Sequence, residues 1–177
     1  KFSKIKNFVG KNDIRLIGMG GSILGSKAIY QFLKDKIKKK FFFIDNLNLK
    51  KNKKKVANIV ISKSGNTLET ISNINVLVKK SERNIFITEN KSSYIRTLAH
   101  KLKSEIIDHN NFIGGRYSVL SEVGMLPAEL MGLDPKKFRQ LDNLIKNRKF
   151  FNALLSNTNS IFHLIKKKKF NSIILNY

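Results

Sequence analysis

Gly18-Met19-Gly20-Gly21-Ser22-Ile23-Leu24-Gly25 is the most informative stretch of this chain. The apolar run Ile14-Arg15-Leu16-Ile17 precedes it, and a helical pattern follows. A strand that ends in glycines and passes directly into a helix is a device for holding phosphate. Glycine lets the backbone approach a ligand without a Cβ in the way. The helix then turns its free N–H groups and its positive dipole end toward the anion. Many nucleotide folds share this signal. Two further stretches sharpen it: Ile61 to Thr70 (ISKSGNTLET) and Gly114 to Gly124 (GGRYSVLSEVG).

Five short apolar runs read as strands, at 14–18, 41–45, 57–62, 84–88 and 104–107. None alternates strictly, which suits strands buried on both faces of a parallel sheet. Helical patterns lie between them. Over 23–38, Leu24, Ala28, Ile29, Phe32, Leu33 and Ile37 fall on one stripe. Over 67–80 the stripe is Leu68, Ile71, Ile74, Leu77 and Val78, and over 93–102 it is Ile95, Leu98 and Leu102. The alternation predicts an α/β fold: a three-layer, doubly wound, five-stranded parallel sheet of order 2-1-3-4-5 with right-handed crossovers. The connection 46–56 lacks a clear helix. After the fifth strand the pattern is helical, at about 118–131, 135–148 and 152–168. The final NSIILNY reads as the first strand of a further domain cut short, and the chain as a fragment lacking material at both ends.

Composition narrows the partners. The net charge is +23, which invites nucleic-acid binding. Only six of the 35 basic residues are arginine, however, and arginine is the favoured reader of phosphate and base edges. Lysine, asparagine, isoleucine and phenylalanine are enriched together, as in a coding sequence drifting toward A and T. A solvated lysine surface is therefore expected, with no nucleic-acid partner. No apolar run approaches the ~18 residues of a transmembrane helix, so no membrane partner is expected. The absence of cysteine fits a reducing, cytoplasmic setting.

The sheet order brings the candidate turns together. In a 2-1-3-4-5 sheet the switch point lies between the first and third strands, and ligands bind there, outside the carboxyl ends. The loops Gly18–Ser22 and Ser62–Thr67 both end at that crevice. The second carries three hydroxyls, Ser62, Ser64 and Thr67, each able to donate to a phosphate oxygen. Gly65 allows the bend. An ordinary N-cap at Asn66 or Thr67 needs one hydroxyl and leaves the others unexplained. The dinucleotide fingerprint fails, because position 23 is Ile where Gly is required. Asp45 accordingly reads as an acid at a strand end. Arg116, behind Gly114-Gly115, offers a fixed cation for an oxyanion that develops in a reaction.

GMGGSILG, SKSGNTLET and GGRYSVLSEVGMLPAELMGLD, in this order and spacing, resemble the first sugar-isomerase-type domain of the glucose-6-phosphate isomerase family over about residues 14–134. The resemblance implies a sugar-phosphate domain over 1–134. It also implies a helical connection with the first strand of a second such domain over 135–177. It implies reversible aldose–ketose interconversion of glucose 6-phosphate and fructose 6-phosphate through an enediol. Gly21 and Ser22 would line the sugar site. Ser62, Lys63, Ser64 and Thr67 would hold the phosphate, mainly through hydroxyls and backbone N–H groups. Gly115 and Arg116 would reach the reacting end, with Arg116 stabilising the enediolate, and Glu69 would orient its neighbours. No metal or organic cofactor is implied, since enediol chemistry runs on acid–base groups. A homodimer is implied for the whole enzyme. The family's base, a glutamate of the second domain, is absent here, as are its ring-opening histidine and a late lysine. Many members also carry a threonine-rich loop where this chain has Ser64-Gly65-Asn66. Glu122 is not taken as a substitute base, and His100, His109 and His163 read as surface or packing residues. Two other readings share some of these features: a non-catalytic sugar-phosphate-binding domain, and a basic nucleic-acid-binding protein.

Overall fold

Val56-Ala57-Asn58-Ile59-Val60-Ile61 forms a strand, β3, in which every residue is buried. A strand so largely apolar, with Asn58 its one polar residue, is buried on both faces at the centre of a sheet covered on both sides. The computed structural model describes residues 12–47 and 56–169, with Ile5 and Gly10. β3 is the central strand of its sheet. The other strands are β1 (Asp13–Ile17), β2 (Phe41–Ile44), β4 (Arg83–Glu89) and β5 (Glu105–His109). All are parallel, in the order β2-β1-β3-β4-β5. This is the predicted doubly wound sheet, and each predicted strand lies within one or two residues of its place. Of the connection 46–56, residues 48–55 fall outside the described residues, as does NSIILNY.

Helices α1 (Gly21–Phe32), α2 (Leu68–Leu77), α3 (Tyr94–Lys101) and α4 (Glu122–Leu130) cover the sheet. On one face Ile17, Val60 and Phe86 pack with Ile74 and Leu77 of α2 and with Ile95 and Ala99 of α3. The opposite pleat carries Leu16, Ile59 and Ile87. It lies beneath α1 and α4, whose Ile23, Met125 and Leu126 are fully buried.

Two helices are rotated from the expected stripes. In α1, Leu24 and Phe32 are exposed, and Ile23, Ser26 and Ile29 form the buried face. Small residues set this rotation. The Ser26 hydroxyl donates to the Val123 carbonyl at 3.2 Å, so α1 turns its narrow side to α4. α1 also stops at Phe32, short of the expected Lys38, with a 3-10 turn at Lys34–Lys36. In α2, Leu68 is exposed, while Thr70 and Asn73 join Ile74 and Leu77 on the buried side. The Asn73 amide there donates to the Asn46 carbonyl at 3.1 Å.

At the amino end of the sheet a polar network replaces apolar packing. Arg15, almost fully buried, donates to Asn58 Oδ1 at 3.2 Å and to the Leu77 carbonyl at 2.8 Å. Asn58 donates to Glu82 at 2.8 Å and to Asn84 at 2.7 Å. Burial pulls the Arg15 pKa down from the usual arginine value, and the Glu82 carboxylate opposes that shift.

The stretch expected to be one helix over 118–131 begins instead as a 3-10 turn, Gly115–Leu120, and becomes α-helical at Glu122. Serine hydroxyls divide it. Ser118 donates to the Gly115 carbonyl at 2.7 Å, and Ser121 to the Ser118 carbonyl at 2.6 Å. Ser121 then accepts from the Val123 amide as the cap of α4.

The chain divides into two compact units, 1–135 and 136–177. In the second, the expected helix over 135–148 is two short pieces, α5 (Pro135–Phe138) and α6 (Asp142–Ile145). α7 (Arg148–Lys166) begins earlier than the expected residue 152. Asn147 explains that start: its side chain accepts from the Phe150 amide at 3.1 Å, an N-cap that ends one helix and begins the next.

Candidate sugar-phosphate site

The carboxyl ends of β1 and β3 are neighbours, with Ile17 opposite Val60. Both candidate loops leave from there. A Cβ placed on Gly18 would lie 3.0 Å from the Ile61 carbonyl oxygen and 3.2 Å from Ser22 Cβ. The residue just before Ser62 and the first turn of α1 thus bracket a single glycine. The two loops are therefore adjacent.

The third motif closes on the first. A Cβ on Gly21 would stand 2.3 Å from both the carbonyl carbon and the oxygen of Gly115. The two backbones are in contact, and only glycine fits. Ser118 of the same turn lies against it too, its hydroxyl oxygen 3.3 Å from the Gly21 carbonyl oxygen. Gly21, Ser22 and Gly115 are thereby brought together. Arg116 is exposed in the 3-10 turn, and its guanidinium has no partner among the described residues.

The β3 loop is built around its hydroxyls. Ser62 is buried, and its oxygen lies 3.1 Å from Thr67 Oγ1 and accepts from the Gly65 amide at 3.2 Å. Ser64 is exposed, with its oxygen 3.5 Å from that of Thr67. Thr67 occupies the N-cap position of α2, but its side chain makes no capping bond. The capping explanation of this loop therefore does not use the hydroxyl it would need. Three hydroxyls converge instead, beside the amino end of a ten-residue helix.

The neighbouring helix holds the loop in shape. Gly65 has φ +67°, and a Cβ there would sit 2.2 Å from Ser93 Oγ. Ser93 caps α3 by accepting from the Arg96 amide, so it cannot move aside without releasing that cap. Asn66 accepts from the Tyr94 amide at 3.0 Å, and the Ile95 amide donates to the Gly65 carbonyl at 3.0 Å. The Gly-Asn pair makes this loop a partner of the α3 start, a relation that sequence reading missed.

The Lys63 ammonium turns toward β4 and β5. It lies 3.4 Å from Glu89 Oε1 and donates to the Asn111 carbonyl at 2.8 Å. Lys91 pairs with the other Glu89 oxygen, and chiefly this contact holds the buried Glu89 carboxyl below its ordinary range. Lys63 thus ties the β3 loop to the loop that leads into Gly114-Gly115-Arg116. Glu69, half-buried in the first turn of α2, completes the predicted set. Asp45 pairs with Lys27 of α1 at 2.6 Å, as an acid at a strand end. His100 and His163 lie in the last turns of α3 and α7 and are exposed. His109 is buried against Glu122 and was not legible as a paired residue.

A sequence model of phosphoglucose isomerase matches residues 4–159. Glucose-6-phosphate isomerase of Methanocaldococcus jannaschii is 34% identical, over 98% of this chain and 48% of its own length. That of Mycoplasma genitalium is 37% identical, over 77% of this chain and 35% of its own length. The chain therefore spans about half, or less, of the relatives it matches. Among solved structures, a hypothetical protein of Thermus thermophilus superposes with TM-score 0.68 at 25% identity, over 91% of this chain and 43% of that one. A tagatose-6-phosphate ketose/aldose isomerase of Escherichia coli shares the fold, with TM-score 0.59 at 15% identity over 77% of this chain and 43% of that one. Among the described residues no helix is long and apolar enough to cross a membrane. The match over most of the chain assigns it: the chain belongs to the phosphoglucose isomerase family.

Proposed function

We propose that this chain is the sugar-phosphate-binding part of a glucose-6-phosphate isomerase. The whole protein interconverts glucose 6-phosphate and fructose 6-phosphate through an enediol, in the cytoplasm and as a homodimer. Residues 1–134 form the first sugar-isomerase-type domain, and 135–177 lead into the second. The observation that carries this reading is the contact of the Gly21 and Gly115 backbones beside the Ser62–Thr67 loop.

Each residue then has a physical task. The phosphate lies at the start of α2, where helix amides and hydroxyls converge. Ser64 and Thr67 donate to its oxygens. Ser62 holds the Thr67 hydroxyl and the Gly65 amide in place. Lys63 contributes its backbone, because its ammonium is engaged by Glu89 and Asn111. Gly21 and Ser22 form the sugar-facing wall. Glu69 orients groups from the first turn of α2. Arg116 stands at the reacting end, where the negative charge of the enediolate grows. A preformed cation at that point stabilises the transition state more than the ground state, which is the requirement for catalysis. The base that moves the proton between C2 and C1 belongs to the remainder of the protein.

Removing both donors tests the phosphate assignment. In the complete protein, Ser64→Ala with Thr67→Val is expected to raise the KM for fructose 6-phosphate by about 10- to 100-fold, since each hydrogen bond to a charged group is worth roughly 1.5–3 kcal/mol and water recovers part of it. Steady-state kinetics with this variant checks it. An unchanged KM would remove the phosphate from this loop.

A further inference from the structure

His109 closes β5, and Glu122 opens α4. The loop and 3-10 turn between them carry Gly114, Gly115 and Arg116. The His109 side chain is 1% exposed, and Nδ1 bonds Glu122 Oε1. Nε2 lies 3.1 Å from the carbonyl oxygen of Ile113, the residue just ahead of Gly114-Gly115-Arg116. One buried ring therefore grips the Arg116 segment at both of its ends.

The contacts make the grip specific. Both ring nitrogens face oxygen atoms, Nδ1 the Glu122 carboxylate and Nε2 the Ile113 carbonyl. An N–H on Nδ1 donates to the carboxylate, and a hydrogen bond to a charged acceptor is the stronger and more directional kind. Nothing comparable holds Arg116 itself. Its guanidinium is unpartnered among the described residues, and its turn is fixed through backbone bonds such as Tyr117 N–H to the Gly114 carbonyl at 3.0 Å.

We propose that His109 and Glu122 are positioning residues for Arg116: the buried ring, held between Glu122 and the Ile113 carbonyl, fixes the segment that presents the guanidinium. This rests on the reading of Arg116 as the group that meets the enediolate. A segment displaced by about 1 Å costs roughly 100-fold in rate while leaving a remote phosphate contact intact.

A double-mutant cycle in the complete protein tests it. Glu122→Ala is expected to lower kcat by about 10- to 100-fold and to change the KM for fructose 6-phosphate less than about threefold. Glu122→Gln keeps an oxygen for Nδ1–H and is expected to fall between wild type and Glu122→Ala. In the Arg116→Ala background Glu122→Gln is expected to cost nothing further, because the residue it positions is gone. Equal losses from Glu122→Gln in both backgrounds would overturn the proposal, as would wild-type kcat in Glu122→Gln and Glu122→Ala. If Glu122→Ala does not accumulate, Glu122→Gln compared across the two backgrounds decides by itself. A harmless Arg116→Ala would instead overturn the role given to Arg116, a separate and recognisable failure.

Discussion

Gly21→Ala is expected to cost the complete enzyme about 100-fold in kcat/KM and to lower its melting temperature. Two effects of the added methyl oppose each other. Gly21 is the first residue of α1, with a φ that any residue tolerates, and alanine favours helix over glycine by up to ~1 kcal/mol. Local propensity alone predicts a small gain. Against it, the new Cβ would stand 2.3 Å from the Gly115 carbonyl carbon and oxygen and 2.9 Å from its Cα. These are backbone atoms, so no rotamer change relieves the overlap. The loops must part by about an ångström, and displacement of that size in a catalytic constellation costs on the order of 10²-fold. Steady-state kinetics and a thermal melt on one preparation decide between the two effects. A variant as active as wild type, and more stable, would mean that the Gly21–Gly115 contact has no part in the site.

Arg116→Ala is the second large expectation: kcat falls by about 10²- to 10³-fold, as on removal of a preformed oxyanion donor, and the KM for fructose 6-phosphate changes little. The split follows from the geometry. Arg116 stands in the 3-10 turn whose Gly115 meets Gly21, whereas the hydroxyls proposed to hold the phosphate are on the β3 loop. The same variant separates an enzyme from a domain that merely binds sugar phosphates. A binding domain has no transition state to stabilise, so Arg116→Ala would alter only affinity. A rise in KM with kcat preserved would move Arg116 from the reacting end to the binding surface.

The sheet was legible because the runs at β1, β3 and β4 are mostly apolar without strict alternation, and a parallel sheet covered on both faces accommodates such runs. Their order then placed Gly18–Ser22 beside Ser62–Thr67 with no further information. Helix rotation was not legible. Periodicity assigned Leu24, Phe32 and Leu68 to buried stripes, yet Ser26, Thr70 and Asn73 took those places. Ser26 and the Asn73 amide group are held there by hydrogen bonds, while the small Thr70 side chain is buried with its hydroxyl unpartnered among the described residues. The 3-10 turn at Gly115–Leu120 was likewise hidden, because it depends on serine hydroxyls choosing the Gly115 and Ser118 carbonyls. The His109–Glu122 pair leaves no mark in the sequence. Thirteen residues separate its members, at no helical or strand spacing, and only the packing of β5 against α4 joins them.

In the proposed function, two loops, leaving β1 and β3, hold one sugar phosphate together. Backbone amide resonances of the complete protein, followed during titration with glucose 6-phosphate, test it most directly. Gly21 and Ser22 are expected to shift together with Gly65, Asn66 and Thr67, along a single saturation curve with one Kd. A response confined to one loop, or two loops saturating at different concentrations, would contradict it.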